Sequence, residues 1–185
     1  IADAKRGDIG STARKYAEAF FDNLNVDAVT LSPYMGRDTI LPFLGRSGKW
    51  AIVLGVTSNP GAEDFQFLPV AGQRPLYENV IRQVSKWGSS EELMFVVGAT
   101  RPSVLSEVRA LAPEHFFLVP GIGAQGGDLS AVLEAGLTSD GGLLINSSRG
   151  ILYAGKGEDA IAAARRAAQD MQQAIATVLQ NKAVV

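Results

Sequence analysis

Apolar residues along the chain form short unbroken runs that alternate with stretches of helical spacing. WAIVLGV (residues 50–56), LMFVV (93–97) and FFLV (116–119) carry almost no polar interruption. Runs of this kind suit strands buried on both faces, as in a parallel sheet. Between them the period changes. In PLYENVIRQVSKWG the apolar positions Leu76, Val80, Ile81 and Val84 recur at helical intervals, and a glycine closes the segment. Read in order, the pattern predicts a strand ending near Lys5, then a helix over STARKYAEAFFDNL with Ser11 or Thr12 as its N-cap. A strand in DAVTLSP and a short helix in RDTILPFLG, broken near Pro42, come next. After the strand at 50–56 and the helix just described, a strand at 93–97 leads to a helix with Pro102 in its first turn. The strand at 116–119 opens into a glycine-rich loop and the helix LSAVLEAGL. A strand in GGLLINSSRG and a last helix over Asp159 to Gln180 complete the chain. Strict alternation of six strands with six helices means parallel strands covered by helices. No linker, charge block or repeat divides the sequence, so residues 1–185 are expected to form one domain.

Composition narrows the function classes. The net charge is −2 with both signs interspersed, which leaves no electrostatic footprint for nucleic acid or for a membrane surface. No apolar run reaches the roughly 18 residues that span a bilayer. There is no cysteine and a single histidine, so disulfides and His/Cys metal sites are not expected. A cytoplasmic location fits this composition. His115 falls at the start of a predicted strand and is read as structural, as are Trp50, Trp87 and the Phe116–Phe117 pair.

In parallel α/β folds the site lies at the carboxyl ends of the strands. Polar residues and glycines collect at those six places: 3–8, 32–34, 57–61, 98–101, 120–128 and 146–150. Asp3 and Lys5, two apart on a strand, point to one face and stabilise each other's charged forms. Taken alone, the pair is equally compatible with a solvated surface ion pair. PGIGAQGGD has four glycines in nine residues and runs into a helix N-terminus, where an anion is favoured. It fits neither the Walker A nor the dinucleotide pattern. Arg149 in NSSRG offers a planar fork of donors for phosphate. Phosphate sites of (β/α)8 barrels use the loops after strands seven and eight. If these are the last two loops, IADAK is strand three. The chain is then short of the usual ~250 residues by about two units.

Together the motifs resemble those of orotidine 5'-phosphate decarboxylases. Asp3-Ala-Lys5-Arg-Gly-Asp8-Ile9, followed by Thr12, is similar to the family signature. TSNPGAEDF, VVGATRP, PGIGAQGGD and NSSRGI are similar to its later blocks, in order. The wording is most similar to the longer bacterial branch. The resemblance implies a (β/α)8 barrel, of which this chain carries about six units (strands three to eight), and an N-terminal part that is missing here. It implies a homodimer without cofactor or metal that converts orotidine 5'-phosphate to uridine 5'-phosphate and CO₂ in pyrimidine synthesis. It makes Lys5 the proton donor to ring carbon six, with Asp3 beside the departing carboxylate. Asp8 and Thr12 would reach the partner's site, with Ile9 lining the same pocket. Ser58 would contact the pyrimidine and Pro120 would wall the base. Gln125, Arg149 and the backbone near Ser148 would hold the phosphate. The family array also includes a second lysine from strand two, which this chain does not contain. Rival readings are a Mg²⁺-dependent sugar-phosphate decarboxylase or synthase of the same suprafamily, and a non-catalytic phosphate-binding barrel.

Overall fold

A computed structural model describes residues 1–123 and 126–182, with Ala71 described by its backbone alone. Six parallel strands form one curled sheet in chain order: β1 (Ala2–Arg6), β2 (Ala28–Leu31), β3 (Trp50–Val56), β6 (Leu93–Val97), β7 (Phe117–Pro120) and β8 (Leu143–Asn146). Two further strands of two residues each, β4 (Pro69–Val70) and β5 (Arg74–Pro75), pair antiparallel in the segment after β3. Parallel neighbours that follow one another in sequence, each joined by a helical crossover, are the barrel arrangement. The sheet is six of the eight strands of a (β/α)8 barrel.

Alternation along the strands sorts side chains into two layers. Val29, Leu31, Ala51, Val53, Leu93, Phe95, Val97, Phe117 and Val119 face outward into the main core, under the helices. Ala28, Ile52, Met94 and Val96 face inward and pack with Trp50, Leu54, Phe116 and Leu118. The aromatic residues expected in the interior are there, with Phe117 fully buried and Trp50 edge-on to Phe116 at 6.4 Å.

The covering helices are α1 (Gly10–Ala17), α2 (Leu76–Val84), α3 (Pro102–Leu111), α4 (Leu129–Gly136), α5 (Arg149–Leu152) and α6 (Ala160–Asn181). Helix α1 continues into a wider π-helical stretch over Glu18–Asn23 that carries Phe21 into the core. Its start differs from the sequence expectation. Ile9 occupies the N-cap position and no side chain caps the helix, because Ser11 and Thr12 already lie inside the first turn. The short helix near Pro42 resolves into two 3₁₀ turns, Arg37–Thr39 and Leu41–Phe43. No helix among the described residues is long and apolar enough to cross a membrane.

Candidate active site

The carboxyl ends of the strands open onto a cavity of about 470 Å³. Asp3 and Lys5 line it from β1, Leu54 from β3, residues 57–59 from the loop that follows, and Val96, Leu118 and Pro120 from β6 and β7. Asn146 and Ser148 close the far side. A recess of about 80 Å³ adjoins it, bounded by Pro120, Gly121, Ile122 and residues 146–149. The floor is apolar and the charge is concentrated at the β1 side.

Asp3 and Lys5 meet as expected: Lys5 Nζ donates to Asp3 Oδ1 at 2.6 Å. The route differs from a regular strand. The register between β1 and β2 shifts between Ala2 and Arg6, and Lys5 has φ +48°. A left-handed lysine costs about 1 kcal/mol or more, so the surroundings must hold it. Thr30, buried in the middle of β2, does this. Its Oγ1 accepts from the Lys5 amide at 2.9 Å and donates to Asp3 Oδ1 at 2.9 Å. The Lys5 ammonium, with help from the Thr30 hydroxyl, holds the Asp3 carboxyl below its ordinary pKa, against the upward push of partial burial.

Ser58 lies on the loop after β3, at the cavity wall. Close packing places it there. A Cβ on Gly98 would stand 2.8 Å from both the Cβ and the amide nitrogen of Ser58, so only glycine admits this approach. The residues on either side of Ser58 are clamped. Thr57 N donates to Gln66 Oε1 at 2.8 Å, Gln66 Nε2 donates to Thr57 Oγ1 at 2.8 Å, and Thr57 Oγ1 donates to Asn59 Oδ1 at 2.6 Å. Arg101 pairs with Glu63 and lies 4.3 Å from the centre of the Phe67 ring, fastening the same segment to α3.

Pro120, Ser148 and Arg149 all border the small recess. Gln125 lies outside the described residues. At the N-terminus of α4, Asp128 Oδ1 accepts from the amides of Ser130 at 2.8 Å and Ala131 at 3.3 Å. The helix is capped by its own carboxylate, which satisfies the donors an external anion would need. Asp8, Ile9 and Thr12 do not border the cavity of their own chain. Asp8 Oδ1 accepts from the Ile9 amide at 2.8 Å, Ile9 is 54% exposed, and Thr12 faces solvent from α1. Among the described residues, no group of three or more His, Cys, Asp or Glu side chains is placed to hold a metal ion.

Sequence reasoning gave no role to Thr30, or to Asn59 and Asn146 within the strand ends 57–61 and 146–150. A lone threonine within AVTL looks like ordinary β-branched strand filler, and only the bulge opposite reveals its use. Asn146 is the one with a legible signal, as a polar residue at the end of an apolar strand.

The site therefore belongs to a (β/α)8-type sheet, with an Asp–Lys pair at the end of the first strand and an arginine-bordered recess at the ends of the last two. Residues 1–167 match the orotidine 5'-phosphate decarboxylase / HUMPS family. The chain is 50% identical over 179 residues to an orotidine 5'-phosphate decarboxylase of Bacteroides fragilis, covering 97% of this chain and 65% of that relative. The structure superposes on the OMP decarboxylase of Leishmania donovani with a TM-score of 0.80 at 46% identity, covering 94% of this chain and 66% of that one. The UMP synthase of the same organism matches with a TM-score of 0.81 at 48% identity, over 92% of this chain and 38% of its own. The chain therefore belongs to the orotidine 5'-phosphate decarboxylase / HUMPS family. It spans 65% of the length of the B. fragilis relative.

Proposed function

We propose that the protein to which this chain belongs decarboxylates orotidine 5'-phosphate to uridine 5'-phosphate, as a cytoplasmic homodimer in pyrimidine synthesis, without metal or cofactor. The observation that carries this reading is the placing of the Asp3–Lys5 pair and the Arg149 recess at the two sides of one apolar-floored cavity. The bond from ring carbon six to the carboxylate breaks, CO₂ leaves, and the electron pair stays on that carbon. The Lys5 ammonium stabilises the developing charge and gives it a proton. Asp3 orients Lys5 and stands beside the leaving carboxylate. Ser58 reads the pyrimidine edge against the Pro120 wall. Arg149, with Gln125 and the Ser148 backbone, grips the phosphate, so that binding energy remote from the reacting bond assembles the site. Asp8, Ile9 and Thr12, which face away from their own cavity, serve the site of the partner subunit.

The test is an assay of the full-length protein with orotidine 5'-phosphate before and after chelation. Undiminished turnover after chelation supports the reading, and activity that needs added Mg²⁺ with a sugar phosphate would favour the rival enzyme. In the same assay Arg149→Ala is expected to lower kcat/KM for the phosphorylated substrate roughly hundredfold. It should leave the slow reaction of the unphosphorylated nucleoside unchanged. An equal loss on both substrates would remove Arg149 from the phosphate site.

A further inference from the structure

We infer that Thr30 is a positioning residue: its hydroxyl couples the distorted backbone of Lys5 to the Asp3 carboxylate and so sets the geometry of the charged pair. This rests on the decarboxylase reading for its catalytic meaning, and on the geometry alone for the linkage. Between the paired positions Ala2↔Val29 and Arg6↔Leu31, β1 advances four residues while β2 advances two. The surplus is absorbed where Lys5 turns left-handed. A bulge takes amides out of the sheet ladder, and the Lys5 N–H is given instead to Thr30 Oγ1 at 2.9 Å. That bond decides the polarity of the next one. With the Lys5 amide donating into its oxygen, the hydroxyl sends its own proton to Asp3 Oδ1, 2.9 Å away. Asp3 Oδ1 thus accepts from Thr30 and from Lys5 Nζ together, an arrangement that favours the ionised carboxylate.

Packing by itself does not call for a hydroxyl here. Thr30 is fully buried between Val29 and Leu31 in a four-residue strand whose other members are all apolar. Valine would fill the same volume in that strand. The polar atom is therefore accounted for by its two partners. Among the described residues, Asp3 and Lys5 are the two charged side chains that border the cavity.

Three variants of the full-length protein separate the hydroxyl from the volume. Thr30→Val keeps the size and loses the hydroxyl, Thr30→Ala loses both, and Thr30→Ser keeps the hydroxyl and loses the methyl group. The expected ranking follows the hydroxyl. Thr30→Ser should retain kcat within about threefold, while Thr30→Val and Thr30→Ala should fall roughly ten- to a hundredfold, with KM changing less than kcat. The acid limb of the kcat profile should move to higher pH in the latter two, because Asp3 has lost a donor. A ranking by volume, with Thr30→Val near the parent and Thr30→Ser as poor as Thr30→Ala, would overturn the inference. A ¹³C NMR titration of the Asp3 carboxyl reads the same linkage without turnover. A raised Asp3 midpoint in Thr30→Val and Thr30→Ala but not in Thr30→Ser supports it, and equal midpoints in all four proteins overturn it. If the parent fails to decarboxylate orotidine 5'-phosphate, the functional reading falls, and the titration still decides the role of Thr30.

Discussion

At the carboxyl ends of the strands Lys5 keeps 53% of its side chain open and is held by one carboxylate. At the amino ends Arg109, from the last turn of α3, is half-buried and donates to five backbone carbonyls: those of Ala112, Pro113, His115, Gly136 and Gly142. Its guanidinium also lies 3.8 Å from the centre of the Phe117 ring. Both are cations at one end of the same sheet, and the two ends use them differently. The planar fork of arginine ties the end of α4 and the entries to β7 and β8 into one unit. Burial lowers its pKa to about 10, which still leaves it charged at neutral pH. The lysine is built the other way. Its backbone is strained, its charge faces a cavity, and its carboxylate partner borders the same cavity. Strain and exposure collect at the cavity, and saturated hydrogen bonding collects where the barrel is held together.

Breaking the first of the two should cost chemistry and leave the fold intact. In the full-length protein Lys5→Ala is expected to lower kcat by at least about 10³-fold, since both charge stabilisation and the proton are lost. Affinity for uridine 5'-phosphate should stay measurable by calorimetry, and the thermal midpoint should change little, since alanine keeps the same left-handed backbone and an exposed ion pair contributes little to stability. Near-parental turnover would remove Lys5 as proton donor.

Breaking the second should do the reverse. Arg109→Met leaves carbonyls without donors and is expected to cost about 3 kcal/mol of stability by urea unfolding. Turnover per folded molecule should be unchanged. Arg109→Lys should recover only a small part, because an ammonium has three donors and cannot stack on Phe117. A stability loss below about 1 kcal/mol in Arg109→Met would show that water replaces the guanidinium, and the contrast between the two ends would weaken.

The same contrast explains what was legible in the sequence. The alternation of apolar runs with helical periods predicted the six parallel strands and their helices, because each element carries its own pattern. Asp3 and Lys5 were legible through their spacing, and Ser58, Pro120, Ser148 and Arg149 through motifs at strand ends. What escaped depends on contacts distant in sequence. Nothing near Gly98 announces that it must make room for Ser58, 40 residues earlier. Arg109 sits among the polar residues of a helix and looks solvated until β7 and β8 close over it. The bulge at Lys5 is a mismatch between two strands, which neither strand shows alone. The cap of α4 is local by contrast, since Asp128 stands at the capping position and takes the amides itself.

His115 gives the finest test of how the lower end is built. Its ring is 9% exposed, its two nitrogens have no hydrogen-bond partner, and it packs 5.4 Å from Phe95. Burial lowers its pKa, Arg109 lowers it further, and Glu114 offsets part of this. The folded protein therefore favours the neutral ring, whereas the unfolded chain takes up a proton near 6.5. The unfolded state binds more protons in that interval, so stability is complete above pH 6.5 and is lost as pH falls towards the folded pKa. The slope from one such group cannot exceed about 1.4 kcal/mol per pH unit. His115→Phe should flatten this part of the stability profile below pH 6.5 and leave the acid loss due to carboxylates at lower pH unchanged. Arg109→Met should also make the profile shallower in the same interval, because it removes the second cause of the shift. Urea midpoints measured across this interval for the parent and both variants decide the matter. Parallel curves for parent and His115→Phe would mean that the ring is already hydrated or paired, and that the lower end contains no proton-sensitive core residue.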